Sequence, residues 1–350
     1  MNIYCIDPSK DERWKQFLQA HPRASIFHTP EWLNALRTTY GYAPVVLTTS
    51  AANQPLTNGI PYCRIQSWIT GSRLVSVPFS DHCEPLVDSS ENHTRLITFL
   101  LNLREQEHCD YVEVRPLTPE IDWPSHDGFA QSATFIHHAL DLTPSSSALF
   151  DRLHRSCFQR KIKRAEKEGL EYEEDTSDEI LHQFYSLLIL TRRRHGVPPQ
   201  PLAWFRNLRN SLGQALKIRV ALKDKRPIAS IITLRHKDTL VYKYGCSDAA
   251  FHKFGSMPFL FWETIQRAKA EGAAEIDLGR SDTSQPGLVA FKDHMGATAV
   301  PLRYYRCPAQ AAARSALSEL MQRREISAVS AHLPEVLLRA ASNLLYRHLA

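Results

Sequence analysis

LKIRVALKDKRPIASIITLRHKDTLVYKYGC, residues 216–246, contains three apolar runs of period two, at 216–222, 228–235 and 239–246. The links between them, Lys223-Asp224-Lys225-Arg226-Pro227 and His236-Lys237-Asp238, are short and polar, which predicts an antiparallel meander. After it the period changes to 3.6. A helix at 256–271 closes on Gly272, and a strand at 274–279, a short helix around 288–294 and a last strand at 300–307 follow. Before the meander stand three helices. The first, 145–169, opens on Ser145-Ser146-Ser147, lines up Leu149, Leu153, Cys157, Phe158, Ile162 and Ala165, and stops at Gly169. The others, 178–195 and 201–212, end at Gly196 and carry Trp204, Phe205, Leu208 and Leu212 inward, respectively.

The N-terminal part repeats this order more faintly, with helices at 8–20 and 29–40, strands at 45–49, 60–65 and 72–77, a helix at 92–107 and a strand at 111–115. LREQEHCDYVEVRP (103–116) and QRAKAEGAAEIDLGR (266–280) are each a helix end, a polar break, a strand with an inward acid, then arginine. The expectation is an α/β (α+β) chain of two similar halves, 1–142 and 143–308, each a mostly antiparallel mixed sheet flanked by helices. Two unrelated α+β domains are the alternative. Residues 309–350 form an expected helical extension, with Leu333, Val336, Leu337, Ala340, Leu344 and Leu345 in a stripe beside Arg339, Arg347 and His348. Such a helix packs on its own protein or a copy, or rests peripherally on a membrane surface.

Composition excludes several classes. With 350 residues, 43% hydrophobic and 23% charged, the chain is too apolar to be disordered and long enough for two domains. A net charge of +5 is too mild to imply nucleic acid by itself. Only 13 glycines occur, and neither a P-loop nor a G-x-G-x-x-G fingerprint is present. Seven widely spaced cysteines without a C-x-x-C pair are neither a disulfide framework nor a zinc ribbon. No run of 18 apolar residues occurs, and the charged start MNIYCIDPSKDERW lacks the apolar centre of a signal peptide, so a cytoplasmic location is expected.

The order of elements in 143–308 is that of a GNAT-type acyltransferase, and two such halves in tandem resemble the FemAB family of aminoacyl and acyl transferases. IFHTPEWLNAL (26–36), VPFSDHCEPLVD (77–88), QRKIKRAEKEGLEYEE (159–174), RRRHGVPPQP (192–201) and IDLGRSDTSQPGLVAFKDHMGA (276–297) carry the likeness. It looks closest to the bacterial subgroup acting on envelope or polysaccharide precursors. The resemblance implies an acyltransferase whose co-substrate is an acyl-CoA or an aminoacyl-tRNA, with tRNA a partner in the second case. The acceptor it implies is a glycan or peptide amine. One stretch departs from acetyl-CoA enzymes of this fold. Their [QR]-x-x-G-x-[GA] loop cradles a pyrophosphate, whereas here Lys253, Gly255 and Ser256 stand in HKFGSMP, with Pro258 removing a donor.

Acyl transfer to an amine needs a neutral amine, a stabilised oxyanion and aligned substrates, and no covalent nucleophile. Lys292 is the first candidate for holding the oxyanion or a donor phosphate; the resemblance extends this role to the pair Phe291–Lys292. Asp277 points inward from a core strand and must be paired, with Arg280 or Lys292 as partners, or act as the base. Asp81, His82 and Glu84, three titratable groups in four positions, suit acceptor binding or proton removal, with His82 the second candidate base. Among Arg192, Arg193, Arg194 and His195 at a helix end, Arg193 is taken as a substrate contact. Trp32 reads as core. The basic run Arg155, Arg160, Lys161, Lys163, Arg164 and Lys167 is either a solvated helix face paired to Glu166 and Glu168 or an anion platform. No metal ligand set is assigned, a short carboxylate–histidine cluster being weak evidence for one. A non-catalytic scaffold for nucleic acid or for a membrane-associated biosynthetic complex is the alternative function.

Overall fold

The computed structural model describes residues 2–118, 128–308 and 345–348. It divides into two compact units at Thr134/Phe135, and the chain from Leu302 returns to the first. The first unit contains β1 (Tyr4–Ile6), α1 (Glu12–Ala20), α2 (Pro30–Tyr40), β2 (Pro44–Thr48), β3 (Ile60–Ser67), β4 (Gly71–Ser76), α3 (Ser90–Gln106) and β5 (Tyr111–Val114). Then come β6 (Ala130–Asp141), which crosses the division, α4 (Ser146–Arg152), α5 (Arg160–Lys167), β7 (Glu171–Asp175), α6 (Asp178–Arg194) and α7 (Leu202–Leu212). The second unit continues with β8 (Leu216–Lys223), β9 (Arg226–His236), β10 (Thr239–Ser247), α8 (Ser256–Ala270), β11 (Glu275–Asp282) and α9 (Pro286–Asp293). β12 (Thr298–Cys307) ends the series.

The two units follow one plan. In the first, β1 to β4 are antiparallel neighbours, β4 lies parallel to β5, and β12 runs antiparallel to β5 with Tyr305 opposite Val114. In the second, β7 to β10 are antiparallel neighbours, β10 lies parallel to β11, and β6 runs antiparallel to β11. The parallel pair demands a crossover, and α3 and α8 supply it. The expected meander at 216–246 is present, and the internal repeat extends to the order of strands. Leu260, Phe261 and Ile265 of α8 and Phe158 and Ile162 near α5 are fully buried against Ile228, Ala229 and Ile231 of β9. Each such side chain contributes roughly 1.5–3 kcal/mol.

Three strands escaped the sequence reading. β1 has only three residues, β6 begins with the exposed polar segment AQSAT, and β7 (EYEED) is an acidic strand at the end of its sheet. Charge on a terminal strand blocks further pairing and hides the apolar period. The single helix expected at 145–169 is broken. Leu153 and His154 take extended backbone, His154 caps the next segment through its ring, and Arg155–Gln159 forms a π-turn before α5. The expected extension 309–350 lies outside the described residues except at 345–348. There the short turn Tyr346–His348 meets the first unit, where Tyr42 Oη donates to Arg347 O at 2.9 Å and Arg73 to His348 O at 3.1 Å. Among the described residues no helix is long and apolar enough to cross a membrane.

Candidate functional site

The parallel pair of the second unit comes apart early. β10 and β11 pair at Thr239–Glu275, Leu240–Ile276 and Val241–Asp277, then stop, although β10 runs on to Ser247 and β11 to Asp282. On its other side β11 slips register against β6 between Asp277 and Arg280, where Gly279 adopts φ +67°. A bulge of this kind re-aims backbone groups, and the carbonyls of Gly279 and Arg280 are turned to a side chain. That side chain is Lys292. Its Nζ donates to Gly279 O at 3.0 Å and to Arg280 O at 3.2 Å. Lys292 is 2% exposed, a buried ammonium and not a solvated surface lysine. Phe291 packs between Phe158 and Phe261, with ring centroids 5.0 and 5.6 Å away, and anchors α9 against the core.

Asp277 lies one step before the bulge. Its Oδ1 accepts from Gly279 N at 2.7 Å and lies 2.8 Å from His137 Nε2. Both residues are only 4% exposed. Sequence reasoning paired Asp277 with Arg280 or Lys292. Arg280 lies exposed with its guanidinium 4.4 Å from the Phe135 ring centre, Lys292 meets the two carbonyls, and His137 is a further partner of Asp277. His137 was missed, because FIHHALDL lay outside every expected element; the adjacent pair His137–His138 was the available signal. An ionised Asp277 fixes the Nε2–H tautomer of His137 and leaves Nδ1 as the ring's basic atom. Beside it His138 Nε2 lies 3.1 Å from Asp293 Oδ1, and burial holds His138 below the usual histidine range despite that carboxylate.

The residues read as donor contacts cluster around the start of α8. Gly255 (φ +77°) precedes that helix, and a Cβ there would lie 2.6 Å from the backbone oxygen of Lys161. Ser256 is buried with its hydroxyl unpartnered among the described residues, Pro258 has no N–H, and Lys253 is exposed over the Phe254 ring. The Lys161 backbone thus packs close against Gly255, leaving no room for a side chain there. Arg193 lies half-buried in the last turn of α6. That turn is tied to β10, since Thr191 Oγ1 donates to Ser247 O at 3.1 Å and accepts from Ser247 N at 2.9 Å. Burial and the adjoining Arg194 and Arg192 lower His195.

The loop Asp81–Glu84 belongs to the first unit. Asp81 is half-buried and its backbone oxygen accepts from Tyr304 Oη at 2.5 Å. His82 is buried edge-on to Phe27, with centroids 5.3 Å apart. Glu84 is committed locally, with Oε2 accepting from Leu117 N and Thr118 N at 2.7 and 3.1 Å. Trp32 is fully buried against Phe27. Nearby Glu113 accepts from Arg115 Nε at 2.8 Å and Arg306 Nε at 2.6 Å. Burial would raise this carboxyl, but the two guanidiniums hold it below the usual glutamate range.

Residues 152–293 match the family described as acetyltransferase (GNAT) domain. A curated relative, the UDP-N-acetylmuramoylpentapeptide-lysine N(6)-alanyltransferase of Weissella viridescens, is 26% identical over 175 residues, 48% of this chain and 51% of that protein. The match thus spans about half the length of that relative. The crystal structure of FemX superposes with TM-score 0.69 at 14% identity, over 92% of this chain and all of the other. L-PGS from Bacillus licheniformis gives 0.57 at 14% identity, over 91% and 99%. A tandem GNAT protein from the clavulanic acid biosynthesis pathway gives 0.54 at 12% identity, over 87% and 98%. The fold is a tandem GNAT fold.

Proposed function

We propose, from the premise of a GNAT acyltransferase domain at residues 152–293 in a FemX-like tandem fold, that the chain is a FemAB-like enzyme. It transfers an aminoacyl group from aminoacyl-tRNA to an amine of a cell-envelope precursor. The observation that carries this reading is Lys292, a buried ammonium fixed on the carbonyls of Gly279 and Arg280 where β10 and β11 diverge. Burying such a charge is costly, and its placement beside an opened sheet suits a group that meets developing negative charge.

In the reaction the amine nitrogen bonds to the ester carbonyl carbon, the carbonyl becomes an oxyanion facing Lys292, and the carbon–oxygen bond to ribose breaks. The proton lost by the amine passes to the leaving ribose hydroxyl. His137, oriented by Asp277, is the relay for that proton, and Arg280, exposed over the Phe135 ring, positions a phosphate or carboxylate of a substrate. His82, Asp81, Glu84 and Arg193 remain candidates for acceptor contact. The choice of tRNA over acyl-CoA is supported by the start of α8, where HKFGSMP departs from the [QR]-x-x-G-x-[GA] loop and Pro258 offers no N–H. The scaffold alternative gains no support from the likenesses found.

The test supplies purified protein with UDP-N-acetylmuramoyl-pentapeptide as probe acceptor and, separately, radiolabelled alanyl-tRNA and acetyl-CoA. Label should reach the acceptor from alanyl-tRNA alone. Acyl transfer from acetyl-CoA with none from tRNA would place the donor in the CoA class.

A further inference from the structure

The break in the expected helix at 145–169 creates a second cluster of chemistry, which shares no residue with Lys292 and Asp277. His154 stands at the break, Cys157 lies three residues on in the π-turn, and His294 follows the last residue of α9. One ligand atom from each lies within 4.8 Å of the other two. The rings of His154 and His294 face each other at 4.3 Å, tilted by 39°, and His154 N donates to His294 O at 2.9 Å. Gly296 sits so close that a Cβ there would lie 3.2 Å from Arg152 Cβ. The two segments are thus held side by side by backbone, and the three side chains converge without depending on long flexible stems.

We propose that His154, Cys157 and His294 bind a thiophilic divalent cation of the zinc class. Tetrahedral coordination by two imidazoles and a thiolate places the donor atoms about 3.3–3.7 Å apart, so a closure of roughly an ångström completes the set. His154 Nδ1 lies 3.2 Å from Cys157 N, from which it accepts, and 3.3 Å from Ser156 Oγ. Its lone pair is thus engaged by the Cys157 amide, and a cation held through Nδ1 displaces that capping hydrogen bond. Three protein ligands leave a fourth position for water or another ligand. The neighbourhood selects the metal. Arg152, Arg155 and Arg160 are exposed around the cluster, which repels hard cations held by charge alone. A thiolate with two imidazoles favours zinc, or cobalt as its spectroscopic substitute. His154 is exposed and Cys157 and His294 half-buried, so the cation has an entry path. The consequence is a clamp from the start of α5 to the end of α9, two residues beyond Lys292.

Untagged, reduced, chelator-treated full-length protein is titrated with zinc against a chromophoric chelator, and with cobalt in the absorption spectrometer. One equivalent should bind, with the thiolate-to-cobalt charge-transfer band and intense visible bands of a tetrahedral site. Cys157→Ser should abolish the charge-transfer band, and Cys157→Ser and His294→Gln should each weaken zinc at least about 100-fold with unchanged melting of the metal-free protein. In the wild type, zinc should protect Cys157 from alkylation, read by mass spectrometry, which needs no variant. Zinc binding unaltered in both variants, Cys157 alkylated equally with and without zinc, or no binding at micromolar zinc would each overturn the site.

Discussion

Glu113 and Asp277 occupy equivalent strands of the two units and have been neutralised differently. Glu113 is held by the guanidiniums of Arg115 and Arg306, and Arg115 in turn covers the Tyr304 ring at 5.1 Å. Asp277 is held against His137, whose imidazole has one nitrogen to donate and one to accept. The first arrangement is structural and the second can do proton chemistry. Glu113→Gln strands two guanidiniums and should cost about 3–5 kcal/mol in urea unfolding. A loss under 0.5 kcal/mol would contradict a structural role. Because the folded glutamate is depressed, its contribution is complete above the unfolded value of about 4.3 and is lost as pH falls through the lower folded value. The wild type should therefore lose more stability than the variant between about pH 5 and pH 3. An inward acid followed by arginine was legible in both strands. That His137 would come to lie against Asp277 was illegible, because the bulge at 277–280 sits beside β6, brought in from 140 residues away.

Elements were legible where their period was clean. The meander β8–β10, α6, α7 and α8 stand close to their expected positions, since each pairs a strong apolar period with a turn or glycine stop. The failures are local. The stripe Leu149, Leu153, Phe158, Ile162 looks continuous, yet the helix breaks at Leu153 and His154, and the π-turn Arg155–Gln159 that follows keeps Phe158 buried in the core. α5 itself carries a concentrated charge. Arg155, Arg160, Lys161, Lys163, Arg164 and Lys167 are all exposed, and of the pairings expected with Glu166 and Glu168 the described one is Arg164–Glu168 at 3.8 Å. This face is the candidate platform for the tRNA phosphates. Replacing Arg160, Lys163 and Lys167 by glutamine should weaken tRNA binding and flatten the plot of log affinity against log salt by about one unit per lost contact. An unchanged slope would mean that the run is only a solvated face.

At the scale of the molecule, two units repeat one order of strands, and the similarity of the order outlasts the similarity of the residues. LREQEHCDYVEVRP and QRAKAEGAAEIDLGR preserved enough of it to reveal the duplication. What no local pattern could show is that the first unit takes its last strand from the far end, with β12 beside β5, while the second takes β6 from before its helices. Such exchange depends on contacts distant in sequence. The chain shares its fold with FemX at TM-score 0.69, and the opened β10–β11 pair of the second unit is where the proposed chemistry is placed. The most direct measurement is single-turnover transfer of labelled alanine from alanyl-tRNA to the probe acceptor by wild type and Lys292→Met, with both melting temperatures recorded. The account predicts a fall in rate of about 100- to 1,000-fold in a folded variant. Equal rates in an equally folded variant would contradict it.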